Sequence, residues 1–149
     1  MVSYRRVLNA LRGFSPVYDD GKEKTLHLLL GQHLASIFEH GSIELNLTGK
    51  KAIDILVGKT VAIEVKRRIP SYRTLYRQLK TYRRLYKRRK IILYIYSGLD
   101  KSKKNELKLL REKDIVDKII VNTTIIKYKS EKEKIIIFPP KPVIIEIPP

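Results

Sequence analysis

Two carboxylates and an amine interrupt an otherwise apolar stretch at residues 53–66. Asp54 sits in Ile53-Asp54-Ile55-Leu56-Val57, and Glu64 and Lys66 sit in Val61-Ala62-Ile63-Glu64-Val65-Lys66. Between the two runs, Val57-Gly58-Lys59-Thr60 reads as a hairpin turn. Strand period two puts Ala52, Asp54 and Leu56 on one face, and Ala62, Glu64 and Lys66 on one face of the partner strand. With the turn centred near Lys59, Asp54 lies opposite Glu64 and Lys66 lies one pair further along. Charges in strands this apolar are costly to bury unless something compensates them, and a divalent cation does so. Two carboxylates and the Val65 carbonyl are hard oxygen ligands suited to Mg²⁺ or Mn²⁺, while the Lys66 ammonium can meet both a water and a phosphate. This is the equipment of phosphodiester hydrolysis. A salt-bridged surface hairpin is the bland alternative.

The elements around this hairpin decide what else reaches it. Residues 71–90 carry a helix pattern with Leu75, Gln78, Leu79, Tyr82 and Leu85 on one stripe, and Pro70-Ser71 gives it a start. Gln78 and Tyr82 are polar intruders on that stripe, one turn apart. Upstream, residues 20–40 read as a second long helix with Leu26, Leu30, His33, Leu34 and Ile37 on its apolar stripe and Gly41 as its stop. Residues 43–47 then form a first strand, whose pairing places Asp54 opposite Leu45. Leu45 lies about 13 Å of strand past Gly41, and the same distance back along the helix spans about nine residues, near Gln32 and His33. By that measure Glu23 overshoots and Glu39 falls short. A lone histidine on an apolar stripe otherwise reads as a satisfied core residue, and His27 and His40 have no comparable argument.

An Asp, a hairpin and then Glu-x-Lys resembles the signature of the PD-(D/E)XK nuclease superfamily, with Asp54, Glu64 and Lys66 matching position by position. The proline of that signature is replaced here by Ile53. Gln-x-x-x-Tyr in the helix after Glu-x-Lys, here Gln78 and Tyr82, resembles the RecB-like branch, which includes CRISPR-associated RecB-like nucleases and lambda-type exonucleases. The resemblance implies a restriction-endonuclease-like α/β core and a metal-dependent deoxyribonuclease. It implies that His33, Asp54, Glu64 and the Val65 carbonyl hold one or two metal ions, that Lys66 orients or deprotonates the attacking water, and that Gln78 and Tyr82 lean over the site. Glu39 is the alternative metal ligand, because other branches use a helix Glu. Holliday-junction resolvases share Asp, Glu-x-Lys, basicity and small size, and carry a Glu early in the first helix, for which Glu23 is the candidate. Three functions therefore stand: a deoxyribonuclease acting on single-stranded or processed ends, a junction-selective endonuclease, and a DNA-binding protein on a nuclease fold without catalysis.

Charge supports a polyanionic partner. The chain of 149 residues carries 32 Lys and Arg against 15 Asp and Glu, a net charge of +17, which concentrates nucleic acid and makes binding salt-dependent. Between residues 67 and 90 there is no acidic residue, and Arg67, Arg68, Arg73, Arg77, Lys80, Arg83, Arg84, Lys87 and Arg88 read as a phosphate-gripping face. A merely solvated face mixes signs. Tyr72, Tyr76, Tyr82 and Tyr86 interleave with these cations in a pattern suited to stacking unpaired bases. The expected partner is DNA, single-stranded or branched.

The absence of cysteine excludes disulfides, and also the iron–sulfur cluster that many CRISPR-associated relatives carry. No apolar run long enough for a membrane span and no signal peptide is visible, so a soluble intracellular protein is expected, cytoplasmic or in a host cytoplasm. Scarce Met, no Trp and abundant Lys and Ile resemble hyperthermophile usage, as in an archaeon or its virus, although an AT-rich genome gives the same bias. Residues 91–96 read as a buried strand, 101–113 as a helix, 115–121 as a further strand and 1–11 as a short leading helix. The fold expected is α/β with a mixed central sheet flanked by helices, a nuclease domain over 1–124. Residues 125–149, with two Pro-Pro pairs, read as a β extension. They form either edge strands on the same subunit, with prolines blunting the edge, or an arm that pairs with a second copy in a homodimer.

Overall fold

The computed structural model describes residues 2–48, 52–124 and 142–148. Ser3 caps the first helix, α1 (Tyr4–Arg12), through its hydroxyl on the Arg6 N–H, and α2 (Glu23–Ile37) follows after a connecting segment. A meander of β1 (Ile43–Leu45), β2 (Ile55–Val57) and β3 (Val61–Lys66) comes next. Helix α3 (Tyr72–Leu85), capped by Ser71, leads to β4 (Lys90–Tyr96). Helix α4 (Lys101–Glu112), capped by Asp100, leads to β5 (Lys118–Asn122), and β6 (Ile144–Glu146) is the last strand among the described residues.

The six strands among the described residues lie in sequence order. Pairing is antiparallel from β1 to β3, parallel across β3, β4 and β5, and antiparallel again at β6. Parallel neighbours need crossovers, which α3 and α4 supply. The central strands are buried on both faces, and Ile91 to Ile95 are fully covered. On one face α1 and α2 pack Val7, Leu11, Leu30 and Leu34 against Ile55, Ile63, Val65 and Tyr94. On the other, Leu75, Leu79, Leu107 and Leu110 of α3 and α4 cover Ala62, Leu93, Ile95 and Val121. The result is an α/β sandwich with a mixed sheet between two helical layers.

Two glycines are needed where they stand. Gly58, at φ +56°, makes the left-handed step of the β2–β3 turn, and Gly31 lets α2 press onto β1, since a Cβ there would fall 2.7 Å from the Leu45 side chain.

Element ends differ from the sequence expectation in one consequential way. Helix α2 stops at Ile37 rather than near residue 40, because Phe38 is extended (φ −97°, ψ 160°) and turns its ring into the core. The first strand also slides by one residue, so the Asp54 carbonyl accepts from Asn46 N–H at 2.8 Å and Asn46, not Leu45, faces Asp54. The expected extension over 125–149 is described only at 142–148, where β6 pairs with β5 of the same chain and Glu146 accepts from Arg12 at 2.6 Å. Residues 125–141 and 149 lie outside the described residues. No helix among the described residues is long and apolar enough to cross a membrane.

Candidate functional site

The β2–β3 register, Ile55 to Ile63 and Val57 to Val61, extrapolates to Asp54 opposite Glu64, just where β2 begins. The Asp54 carboxylate is fixed by its Oδ2, which accepts the Val65 N–H at 2.8 Å. Glu64, only 2% exposed, places Oε2 3.3 Å from the Lys66 ammonium. Its Oε1 is buried and meets no hydrogen-bond donor among the described residues. Burial, and after it the facing Asp54 carboxylate, push the Glu64 pKa up to about 9, with Lys66 pulling the other way. An acceptor facing an acceptor is resolved either by a proton or by a cation, so the metal-free protein holds a proton here at neutral pH.

Helix α2 contributes two more groups, and neither is His33. The His27 ring is buried beneath Asp54, its Nε2 2.8 Å from the Asp54 carbonyl oxygen and its Nδ1 3.9 Å from Asp54 Oδ1. A carbonyl only accepts, so Nε2 carries a hydrogen, and Nδ1 is the ring nitrogen on the carboxylate's side. Glu23, at the start of α2, brings Oε1 within 4.0 Å of Lys66 Nζ. His33 lies elsewhere. Its Nε2 hydrogen bonds the Ala10 carbonyl at 2.8 Å and its ring tilts against Phe14 at 5.2 Å, which makes it packing between α1 and α2. The early end of α2 accounts for the substitution. Counted back from Ile37 instead of Gly41, the same nine residues or so reach the neighbourhood of His27. Glu39 sits exposed in the turn after α2, beside Arg6.

Helix α3 supplies the opposite wall. Gln78 Nε2 donates to the Tyr82 hydroxyl at 3.3 Å, and that hydroxyl donates to the Ala52 carbonyl at 3.3 Å. Tyr86 accepts the neighbouring Ile53 N–H at 3.3 Å. The two tyrosines thus pin the chain that delivers Asp54, and Tyr86 does so unforeseen from sequence. The only signal for it was its i+4 spacing from Tyr82. Burial and the nearby Glu64 push the Tyr82 pKa up to about 12, so its hydroxyl stays protonated. Gln78 Oε1 is a second buried acceptor without a donor among the described residues.

A cleft of about 600 Å³ opens over Lys66 and is lined further by Arg73, Thr74, Arg77, Gln78 and Thr81. None of the four interleaved tyrosines lines it: Tyr72 and Tyr76 stack on each other at 5.9 Å, and Tyr82 and Tyr86 hold residues 52 and 53. The cations of residues 67–90 also divide. Arg67 forks onto Asp19 at 2.9 and 2.6 Å, bonds the Tyr96 carbonyl and lies over the Tyr96 ring. Arg83 bonds Asp117 at 2.7 Å and the carbonyls of Ile115 and Arg89. Both were expected on the phosphate face, and both instead hold the fold together. Arg68, Arg73, Arg77, Arg84, Lys87 and Arg88 are exposed and make no ion pair among the described residues, while Lys80 rests over the Tyr76 ring.

The expected metal set of His33, Asp54, Glu64 and Val65 is therefore not assembled. Among the described residues no three His, Asp or Glu side chains stand together at metal-holding distance. The carboxylates of Asp54 and Glu64 are nevertheless of the right chemistry for a hard divalent ion, and His27 Nδ1 stands 3.9 Å from Asp54 Oδ1. No protein-family model, curated protein or solved structure matches this chain.

Proposed function

We propose that this protein is a metal-dependent nuclease with a restriction-endonuclease-like core, hydrolysing DNA phosphodiester bonds on single-stranded or processed ends in replication, recombination or repair. One observation carries the reading: the buried Glu64, with an undonated oxygen and the half-buried Asp54 carboxylate opposite it, touches an amine, Lys66, that lines a cleft together with the exposed Arg73 and Arg77. A structural ion pair has no need of a second buried carboxylate, because like charges this close destabilise each other.

Asp54, Glu64 and the Val65 carbonyl, with His27 in the place expected of His33, are the residues that would hold Mg²⁺ or Mn²⁺. When bound, that ion supplies Lewis acidity and a more acidic water. Lys66, an ammonium between Glu64 and Glu23, acts as a donor that orients the water and the phosphate. Arg73 and Arg77 grip phosphates along the cleft. Gln78, Tyr82 and Tyr86 keep Asp54 at its register.

A second reading, a junction-selective endonuclease, draws on the 4.0 Å approach of Glu23 to Lys66. The test incubates the wild type and Lys66→Ala with linear single-stranded DNA, linear duplex and a four-way junction, in Mg²⁺, Mn²⁺ or EDTA. Metal-dependent cutting that requires Lys66 is expected, and symmetric cutting of the junction selects the second reading. Tight binding with no cutting of any substrate overturns both in favour of a DNA-binding protein without catalysis.

A further inference from the structure

Lys66 belongs to two clefts. The first runs along α3 past Arg73 and Arg77. The second, about 350 Å³, lies on the other side of Lys66 and is lined by Gly21 and Glu23 at the start of α2 and by residues 67–70 of the β3–α3 connection. Lys66 is the one residue common to both linings, so the amine stands where the two clefts adjoin. Each arm carries exposed cations that make no ion pair among the described residues: Arg68 in one, Arg73 and Arg77 in the other. The wall of the second arm is built to stay in place. Asp19, gripped by Arg67, also accepts the Gly21 N–H at 2.9 Å, and Asp20 accepts from Lys22 N–H and the Thr25 hydroxyl.

We infer that the two arms form one groove and that a DNA strand passes through it from one to the other, with the phosphate under attack at Lys66, so that the enzyme cuts internally and needs no free end. The inference rests on the nuclease reading. A strand bound from a terminus inward fills one arm and leaves Arg68 or the Arg73–Arg77 pair without a phosphate. A continuous strand neutralises both.

Closed circular DNA, single-stranded and duplex, is compared with the same sequences in linear form, in Mg²⁺ or Mn²⁺. The expected result is opening of a circle to full-length linear product. Shortening of linear DNA from its ends, with every circle intact, overturns the inference while leaving the nuclease reading standing. Where neither form is cut the nuclease reading fails by itself, and the path is read from binding of the single-stranded circle in EDTA. Arg68→Ala and Arg77→Ala, both exposed and so without effect on folding, are each expected to lower the salt slope by about 0.7. A wild-type slope for Arg68→Ala, with a lowered slope for Arg77→Ala, overturns the through path.

Discussion

Asp54 and Val65 are tied across the hairpin by a 2.8 Å hydrogen bond from the Val65 N–H to Asp54 Oδ2. This bond uses one carboxylate oxygen to locate the residue between Glu64 and Lys66, and it leaves Oδ1 facing His27 and the buried Glu64. Replacement by Asn keeps an acceptor for Val65 but removes the charge. Asp54→Asn is therefore expected to fold with wild-type stability, to bind DNA nearly as tightly, and to lose metal-dependent cutting. Asp54→Ala should also lose cutting, and in addition cost about 1–2 kcal/mol of stability through the stranded N–H. Urea denaturation beside a cleavage assay separates the two. Equal loss of binding and cutting in Asp54→Asn would mean that Asp54 serves the DNA rather than the metal.

Glu64 gives the metal-free protein a pH dependence whose sign is fixed by its raised pKa. The folded protein keeps a proton up to about pH 9, whereas the unfolded chain releases it near the ordinary carboxylate value. The folded state thus binds more protons across that window, and stability falls as pH rises from about 4.5 to 9. Glu64→Gln takes up no proton on folding, so it should flatten this dependence and at pH 8 raise Tm by about 4–8 °C, on the order of 2 kcal/mol. Adding Mg²⁺ or Mn²⁺ at pH 8 should stabilise the wild type and release a proton, and should do neither in Glu64→Gln. Thermal melts in EDTA and in metal, at pH 5 and pH 8, provide the check. A wild-type melt that is flat with pH would remove the carboxylate-pair argument.

His27 and His33 make opposite forecasts. His27→Ala removes a donor to the Asp54 carbonyl and a nitrogen facing its carboxylate. Cutting is expected to fall by at least tenfold, with a higher metal requirement. His33→Ala loses a bond to Ala10 and contact with Phe14, costs about 1–2 kcal/mol of stability, and leaves the metal titration unchanged. A metal titration of cleavage for both variants decides the matter. A shifted midpoint in His33→Ala alone would return the ligand role to it.

The histidine swap also shows where sequence reasoning carried and where it stopped. Strand period and Gly58 locate the hairpin, because a sheet buried on one or both faces leaves a strand little freedom to slip. The Asp54–Glu64 opposition follows from that register. The end of α2 is different in kind. Phe38-Glu39-His40 continues a helical pattern, and only the tertiary demand for a buried Phe38 ring breaks the backbone there. Three residues of error at a helix end rotate the choice of face, and so exchanged His33 for His27 as the histidine beside Asp54. The cations of residues 67–90 divide for a related reason. Charge runs reveal how many arginines a helix holds, whereas Asp19 and Asp117, which occupy Arg67 and Arg83, lie far away in sequence.

Arg83 and Arg84, neighbours on α3, should consequently separate two roles that composition merges. Arg83 holds Asp117, which also accepts the Ile91 N–H at 2.8 Å, so the pair fastens α3 to the start of β4. Arg83→Ala takes the guanidinium from a half-buried carboxylate, which keeps the Ile91 N–H and Lys90, and from two carbonyls, and is expected to cost about 1–2 kcal/mol of stability, with the salt slope of DNA binding unchanged. Arg84 is exposed and unpaired among the described residues. Arg84→Ala should leave stability within about 0.5 kcal/mol of wild type and lower the salt slope by roughly one phosphate contact. Denaturation curves and binding at several salt concentrations read both quantities for both variants. An unchanged slope in Arg84→Ala would take the outer face of α3 out of the DNA track and confine binding to the groove at Lys66.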